Sequence, residues 1–211
     1  MTVALPPLGT GATRLLLLRH GEPDETVRGR CYGRLDPGLS RRGGEQMRQA
    51  WLLLAEQSAA AIYTSPRRRA VESTYPRSID TPTATVDDRL REIDFGAFEG
   101  LTYEEIANRY PRTYDEWMTR PASVVFPDGE SFPTMSARVR DALGQIRRAH
   151  SGETVAIVSH GGVNRVALSD ALDLHPSRIF RVAQAYACVN VIDYVGDDAV
   201  VLVVNMTVTP C

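Results

Sequence analysis

The chain has 211 residues, a formal net charge of −2 and a hydrophobic fraction of 43%, which together predict one soluble domain with a sizeable core. This nearly neutral balance argues against a nucleic-acid-binding protein. All 24 basic residues are arginine, a side chain that binds phosphate through a planar pair of donors. No stretch has signal-peptide or membrane-span character. The cysteines show neither disulfide nor metal spacing, so we expect a cytoplasmic protein; they are Cys31, Cys188 and Cys211.

Apolar runs bounded by polar residues predict the strands. The runs that end at Arg19 and Ser159 are unbroken, which is typical of strands buried in a parallel sheet. The last two runs are joined by a Gly-Asp-Asp turn, which indicates a hairpin. The predicted strands are 13–19, 61–63, 154–159, 189–195 and 199–204.

Helices are predicted between the strands. Ser40 is expected to cap the first, Pro66 to stand at the first position of the second, and Thr102 to begin a capping box before a helix that Pro111 stops. Apolar residues at helical spacing predict two further helices. The predicted helices are about 40–57, 66 onward, 102–110, 135–150 and 163–172.

The remaining segments are interpreted as irregular. Residues 1–12 are expected to form a loose leader, 21–39 a long loop, 85–86 and 91–100 irregular chain, and about 97–133 a helical and loop lid. Because strands alternate with helices, we expect a single α/β domain over residues 1–211. Its architecture is predicted to be a three-layer αβα sandwich with a mostly parallel sheet and a C-terminal β-hairpin.

Two histidines stand at the ends of predicted strands. His20 lies between Arg19 and Gly21 after the first strand, and His160 precedes two glycines after another. In an open α/β sheet the carboxyl ends of strands are where ligands bind, and a histidine there acts as nucleophile, general acid or metal ligand. The alternative is a strand end whose imidazole only bonds a backbone carbonyl.

Two further segments carry charged candidates. Arginines at 67–69 begin a predicted helix, where positive charge opposes the helix dipole unless an anion or acidic neighbours lie nearby. A solvated basic surface is the alternative. Glu92 lies beside aromatic residues in segment 91–100, and burial there raises a carboxyl pKa enough for proton donation near neutral pH. An ordinary solvated loop is again the alternative.

Together these motifs resemble the histidine phosphatase superfamily, in its phosphoglycerate-mutase-like branch. The resemblance covers roughly residues 13–205, with the motifs in the family's order. It implies a phosphoglycerate-mutase-like fold and a covalent phosphohistidine intermediate formed on His20. It also implies that no metal or cofactor is needed, and the sequence contains no clear metal-ligand cluster or Walker loop.

The resemblance also assigns the remaining chemistry. Arg19, Arg69 and His160 bind the phosphoryl group and stabilise its charge, together with the backbone N–H of Gly161. Glu92 protonates the leaving group and then activates the water that cleaves phosphohistidine. The family pattern Ser-x-x-x-Arg-Ala matches residues 65–70 and selects Arg69, so the two arginines before it are expected at the surface.

A phosphatase is favoured over a mutase. Cofactor-dependent mutases of the family carry a longer, more basic insertion, whereas Glu92 and His160 are only 68 residues apart and the flap at 120–127 is mostly apolar. Thr26 replaces the Asn that family mutases have at that position, and it is a candidate substrate-binding residue here. The alternatives are a cofactor-dependent phosphoglycerate mutase and a non-catalytic relative that binds a phosphorylated ligand.

The loop at 29–37 suggests a substrate. Its Cys-Tyr-Gly-Arg stretch resembles the α-ribazole phosphatases of cobalamin synthesis, in which case Tyr32 would stack on a base and Arg34 would meet a second anion. The alternative is a loop that only packs under the lid. Glu22 is a further substrate-binding candidate. Tyr103, Asn164 and Arg165 are left open between pocket and structural roles.

The expected partner is a small phosphomonoester, without nucleic acid or membrane. The chain is expected to be a monomer or a homodimer, because the C-terminal hairpin could leave a sheet edge that pairs. Cys31 lies near the predicted pocket, so oxidation sensitivity is left open.

Overall fold

The computed structural model describes residues 2–74 and 82–208. Its strands are β1 (Thr13–Arg19), β2 (Ala61–Thr64), β3 (Thr85–Val86), β4 (Thr154–Ser159), β5 (Val189–Val195) and β6 (Asp198–Met206). Within the described residues these form a 6-stranded sheet in the order β3-β2-β4-β1-β5-β6. Strands β3, β2, β4 and β1 run parallel, whereas β5 pairs antiparallel with β1 and β6 with β5. The predicted sheet with its C-terminal hairpin is therefore confirmed.

Helices cover both faces of the sheet. They are α1 (Arg41–Leu53), α2 (Arg68–Glu72), α3 (Tyr103–Arg109), α4 (Pro111–Thr119), α5 (Phe132–Ala149) and α6 (Gly161–Ala171). Leu16 and Leu18 of β1 pack in a cluster with Met47 of α1, whereas Leu15 and Leu17 pack in a second cluster with α5 and α6. Because successive strand residues point to opposite faces, this division produces the three-layer αβα sandwich.

Some local expectations were wrong. Strand β3 lies in a stretch that was expected to be irregular. The second helix begins at Arg68 rather than at Pro66, because Arg67 keeps an extended conformation with ψ 134°. Pro111 ends α3, as predicted, but it also opens α4, which was not predicted. Proline is compatible with the first helical position, where the missing N–H has no intrahelical partner.

The N-terminal segment packs on the domain. Residues 2–12 contain no helix or strand, yet Val3 is buried against α1 and its N–H donates to the Leu53 carbonyl at 2.9 Å. The guanidinium of Arg14 donates to the Pro6 carbonyl at 2.9 Å. The segment is therefore held in place rather than loose.

Cys211, at the C-terminus, lies outside the described residues. In the described parts of the chain, no helix combines the length and the apolar character that crossing a membrane requires.

Candidate active site

Three predicted site residues meet where neighbouring strands end. His20 follows β1, His160 lies between β4 and α6, and Arg69 lies in α2, which follows β2. Their side chains are buried, with relative exposures of 1%, 0% and 0%. The ring centroids of the two histidines are 5.1 Å apart. The parallel strands thus bring together residues that are far apart in the sequence.

A cavity of about 340 Å³ adjoins this group. Of the predicted site residues, Arg19, His20, Tyr32 and Glu92 line its wall. Tyr103 and Arg165, which the sequence left open, line it as well. Six aromatic and aliphatic side chains form much of the remaining wall, several of them from the predicted lid: Phe95, Trp117, Val124, Phe126, Phe132 and Phe180.

Sequence reasoning missed Tyr186. It lines the cavity, its ring centroid is 5.7 Å from that of His20, and its hydroxyl is 2.7 Å from the Tyr32 hydroxyl. The Arg19 guanidinium lies over its ring at 4.2 Å. No motif surrounds this tyrosine, so its place in the site follows only from the folding of the loop before β5.

His20 is held as a neutral imidazole. Its Nδ1 is 2.7 Å from the Gly21 carbonyl oxygen, and because a carbonyl only accepts, Nδ1 carries the proton. Burial lowers the pKa of His20 well below 6.5, and the charges of Arg19 and Arg69 lower it further. The other ring nitrogen, Nε2, therefore keeps its lone pair, as a nucleophile requires.

His160 is also buried and neutral. Burial lowers its pKa well below 6.5, with further lowering by Arg69, His20 and Arg19. Its Nε2 is 2.7 Å from the Ser65 hydroxyl. Its Nδ1 is buried and has no hydrogen-bond partner among the described residues. Such an unpaired buried atom indicates a place where a ligand completes the site.

The two predicted phosphate arginines are anchored by backbone carbonyls. Arg19 donates through Nη1 to the Gln184 carbonyl. Arg69 donates to the carbonyls of Leu35 at 2.9 Å and Tyr32 at 3.0 Å. Within the described chain, the Nε atoms of both arginines are buried and lack a partner. Each guanidinium thus retains a donor for an anion.

Arg67 and Arg68, which precede Arg69, differ in their exposure to solvent. Arg68 is exposed, as expected, and its Nε donates to Glu72 at 2.6 Å. Arg67 is half-buried instead, and its Nε is buried without a partner in the described residues. The expectation that both lie at the surface was therefore wrong for Arg67. Its backbone stays extended before α2, so the residue is not part of that helix.

Glu92 bridges the cavity and α6. Its carboxylate accepts from the Ile93 N–H at 3.0 Å and from the Gly162 N–H at 3.2 Å. A Cβ atom at position 162 would overlap the Glu92 carboxylate, so only glycine permits this approach. The side chain is half-buried. Beside it, a Cβ on Gly161 would lie 3.1 Å from Nη1 of Arg165.

Three predicted substrate-binding residues lie away from the cavity wall. Thr26 is exposed in a short 3-10 turn. Glu22 accepts from the Ser40 hydroxyl at 3.3 Å and lies 3.7 Å from Arg42. Arg34 is exposed and faces Asp94 at 3.7 Å. Since their polar atoms are directed to these partners or to solvent, they do not form part of the cavity in this structure.

The remaining open candidate, Asn164, has structural contacts. Asn164 is buried; it accepts from the Ser159 hydroxyl and donates to Gln184, each at 3.0 Å. Gln184 in turn supplies the carbonyl that anchors Arg19. Across residues 2–74 and 82–208, no group of three or more His, Cys, Asp or Glu side chains is arranged to hold a metal ion.

Comparison with known proteins identifies the family. The sequence model described as "Histidine phosphatase superfamily (branch 1)" matches residues 15–207. The chain belongs to the histidine phosphatase superfamily. The matched range includes His20, Arg19 and Arg69.

Among curated relatives, "Bifunctional protein Rv2228c" of Mycobacterium tuberculosis is 37% identical over 209 residues, covering 95% of this chain and 57% of that protein. The chain thus spans little more than half the length of this relative. "Phosphoserine phosphatase 1" of Hydrogenobacter thermophilus is 32% identical over 199 residues, with 92% of each chain covered.

Solved structures share the fold. YhfR of Bacillus stearothermophilus is 31% identical with a TM-score of 0.85, covering 90% of this chain and 96% of that chain. The α-ribazole phosphatase of Shigella flexneri is 25% identical with a TM-score of 0.82, covering 92% of this chain and 96% of that chain. The predicted fold class and family are confirmed.

Proposed function

We propose that this chain is a metal-independent phosphomonoesterase that acts through a phosphohistidine on a small phosphorylated metabolite. The observation that carries the proposal is the state of His20. Its Nδ1–H is bonded to the Gly21 carbonyl, its pKa is lowered, and Nε2 keeps a lone pair beside the cavity. This is the tautomer that a histidine nucleophile needs.

Unpartnered donors around His20 support a phosphoryl site. Nε of Arg19, Nε of Arg69 and Nδ1 of His160 are buried and unpaired within the described residues. A buried donor without a partner costs free energy, and the oxygens of a phosphoryl group would satisfy all three. For Nδ1 of His160 this assigns the tautomer in which the Ser65 hydroxyl donates to Nε2 and Nδ1 carries the proton. The same donors would stabilise the charge on the equatorial oxygens during transfer. The N–H of Gly161, at the start of α6, is proposed to join them.

The reaction proceeds in two balanced steps. In the first, Nε2 of His20 forms a bond to phosphorus while the bond to the ester oxygen breaks, and Glu92 gives its proton to that oxygen. In the second, Glu92 takes a proton from water as the water oxygen bonds to phosphorus and the N–P bond breaks. Inorganic phosphate leaves, and both side chains return to their starting states.

The remaining cavity favours an alcohol with an aromatic ring. Tyr32, Phe95, Trp117 and Phe126 are among its wall residues, and aromatic rings pack well against such walls. Arg165 lines the cavity as well and could meet a second anion, the contact that the sequence suggested for Arg34. We therefore propose α-ribazole phosphate, whose alcohol carries an aromatic base, as the substrate to test first. The structural similarity to the Shigella flexneri enzyme supports the same choice.

Phosphoserine is the competing substrate. It is suggested by the 32% identity to a protein named phosphoserine phosphatase 1. The serine alcohol carries an ammonium group, which needs a carboxylate partner when it leaves water. Among the described residues that line the cavity, Glu92 is the sole acid, and the reaction already uses it. The cavity therefore favours the aromatic alcohol.

Release of inorganic phosphate in EDTA tests the proposal. The panel comprises α-ribazole phosphate, p-nitrophenyl phosphate, phosphoserine, and 3-phosphoglycerate with and without 2,3-bisphosphoglycerate. We expect metal-independent hydrolysis, the highest kcat/KM on α-ribazole phosphate, and a loss of about 10³-fold or more in His20→Ala. His175→Ala is the matched control, since His175 is exposed and bonds Ser177.

Other outcomes would contradict separate parts of the proposal. Full activity in His20→Ala would refute the mechanism, and loss of activity in EDTA would refute metal independence. Preference for phosphoserine would reject the aromatic substrate but keep the phosphatase. Exchange between 3- and 2-phosphoglycerate without hydrolysis would identify a mutase, and binding without turnover would identify a non-catalytic relative.

A further inference from the structure

The Glu99 carboxylate is surrounded by backbone N–H groups. Its Oε1 accepts from Gly33 at 3.0 Å, from Arg34 at 2.7 Å and from Phe95 at 3.1 Å, and its Oε2 accepts from Leu35 at 3.1 Å. Within the described residues it forms no ion pair with an arginine. The carboxylate oxygens accept all four of these bonds, so an acidic side chain lies directly behind this loop with its charge facing the backbone N–H groups.

The opposite side of the same loop holds Arg69. Its Nη2 donates to the carbonyls of Tyr32 at 3.0 Å and Gly33 at 3.3 Å, and its Nη1 donates to that of Leu35 at 2.9 Å. Arg69 is fully buried and, among the described residues, lies within ion-pair distance of no carboxylate. A buried charge without a direct partner needs compensation from nearby dipoles.

Two peptide groups link the two charges. The peptide between Tyr32 and Gly33 donates its N–H to Glu99 and offers its carbonyl to Arg69, and the peptide between Gly33 and Arg34 does the same. In a trans peptide the N–H and C=O point in opposite directions. Both peptide dipoles are therefore aligned between a negative and a positive group, and such chains of hydrogen bonds polarise one another.

The loop cannot easily shift out of this arrangement. A Cβ atom at Gly33 would overlap the Ile93 carbonyl oxygen, so the chain there is in close contact with the segment that carries Glu92. Arg69 also keeps its Nε buried and unpartnered within the described part of the chain. The anchored Nη atoms thus fix the direction in which the free Nε–H points.

We propose that Glu99 is a positioning residue for phosphate binding, which acts on Arg69 through the two peptide groups at Gly33. This inference rests on the proposed role of Arg69 in binding the phosphoryl group. Glu99 contacts no substrate in this view. Its charge stabilises the orientation in which Arg69 presents Nε–H, and loss of that charge weakens anion binding.

Calorimetric titration with inorganic phosphate, in a double-mutant cycle, tests whether Glu99 acts on phosphate binding through Arg69. Arg69→Gln should weaken phosphate binding about tenfold or more. Glu99→Gln keeps the size of the side chain and an acceptor oxygen but removes the charge, and it should weaken binding about five- to tenfold. In the Arg69→Gln background the same change should cost less than about twofold, because the group through which Glu99 acts is gone.

Glu72→Gln is the matched control. Glu72 holds the same loop through the Leu39 N–H at 2.7 Å, but it is bonded to neither peptide group that contacts Arg69. We expect its phosphate affinity to stay within about twofold of the wild type. Equal effects of Glu99→Gln with and without Arg69 would refute the link. Unchanged phosphate affinity in Arg69→Gln alone would instead refute the proposed role of Arg69.

Hydrogen exchange on the wild-type protein tests the same proposal if the Glu99→Gln variant does not fold. If the peptide groups connect Glu99 to the phosphate site, added phosphate should slow hydrogen exchange at the Gly33 and Arg34 amides by about threefold or more, because binding stabilises the linked loop. The Leu39 amide, held by Glu72, should change less. Equal slowing at all three amides, or none, would refute the proposal.

Discussion

The two ends of the cavity are built from different kinds of contact. At the end that we propose binds the phosphoryl group, called here the phosphoryl end, His20, Arg69 and Glu92 are each bound to specific backbone groups at the ends of strands and in the adjoining loops. At the other end, Phe95 and Phe126 pack edge to face with ring centroids 5.0 Å apart. Hydrogen bonds fix direction, whereas apolar packing fixes mainly shape and volume.

This difference predicts that substitutions at the two ends have different effects on activity. If the proposed mechanism holds, we expect loss of a directed polar group at the phosphoryl end to remove a step of the chemistry. We expect loss of an aromatic ring at the other end to change the fit of one class of alcohol and to leave the reaction intact. The largest effects are therefore expected at the phosphoryl end.

Glu92→Gln should have the largest effect of the changes that distinguish the two ends. An amide cannot donate or accept the proton, so we expect kcat to fall about 10²- to 10⁴-fold on alkyl phosphates. With p-nitrophenyl phosphate, whose leaving group needs little protonation, the variant should release a burst of p-nitrophenol and then accumulate phosphohistidine. Rapid-quench kinetics and acid-labile phosphate measure both quantities.

Glu104→Gln is the control for that experiment, because Glu104 is exposed on α3. It should show wild-type rates without accumulation. Normal turnover in Glu92→Gln would remove Glu92 from the mechanism and leave the phosphoryl end without an identified acid.

Phe126→Leu should change substrate preference by a smaller factor. Phe126 lines the cavity and contacts Trp117 with ring centroids 5.3 Å apart. Since an aromatic pair contributes about 0.5–1.5 kcal/mol beyond area burial, we expect KM for aromatic phosphates to rise about three- to tenfold. Values for acetyl phosphate, which has no ring, should stay within about twofold.

Phe98→Leu tests whether KM depends on the packing of the aromatic cluster or on contact of a ring with the substrate. Phe98 is buried in the same aromatic cluster, with its ring centroid 5.5 Å from that of Phe126, but it is not part of the cavity wall. It should lower stability without a selective change in KM. Equal KM changes in both variants would mean that packing, rather than ring contact, sets the preference.

The last expected effect is on the pH dependence of stability. His20 and His160 have pKa values well below 6.5 in the folded chain, so below about pH 6.5 the unfolded chain binds more protons. The free energy of unfolding should therefore fall as the pH drops below about 6.5, by up to about 1.4 kcal/mol per pH unit for each histidine, and level off below the folded pKa.

Urea unfolding between about pH 7.5 and 5.5 measures this slope. His160→Gln should have a shallower slope than the wild type, because one buried neutral histidine is gone. His175→Gln, which changes an exposed histidine, should keep the wild-type slope. A wild-type slope in His160→Gln would show that His160 is not held neutral by burial.

Much of the fold could be predicted because its signals are local. The apolar runs before His20 and His160 indicate buried parallel strands, and the structure has strands at both. Helix α4 was missed because Pro111 was interpreted only as the end of the helix before it, although proline also suits a first helical position. The packing of Val3 on α1 was missed because a lone valine in a leader carries no periodic pattern.

The sequence by itself determined the order of the motifs, the strand ends that carry His20 and His160, and hence the family. Only the tertiary structure decided which side chains share the cavity: it brought in Tyr186, left out Thr26 and Glu22, and half-buried Arg67. The reason is physical. Motifs are contiguous, whereas contacts such as Tyr32 with Tyr186, or Glu99 with the loop that holds Arg69, join segments that only folding brings together.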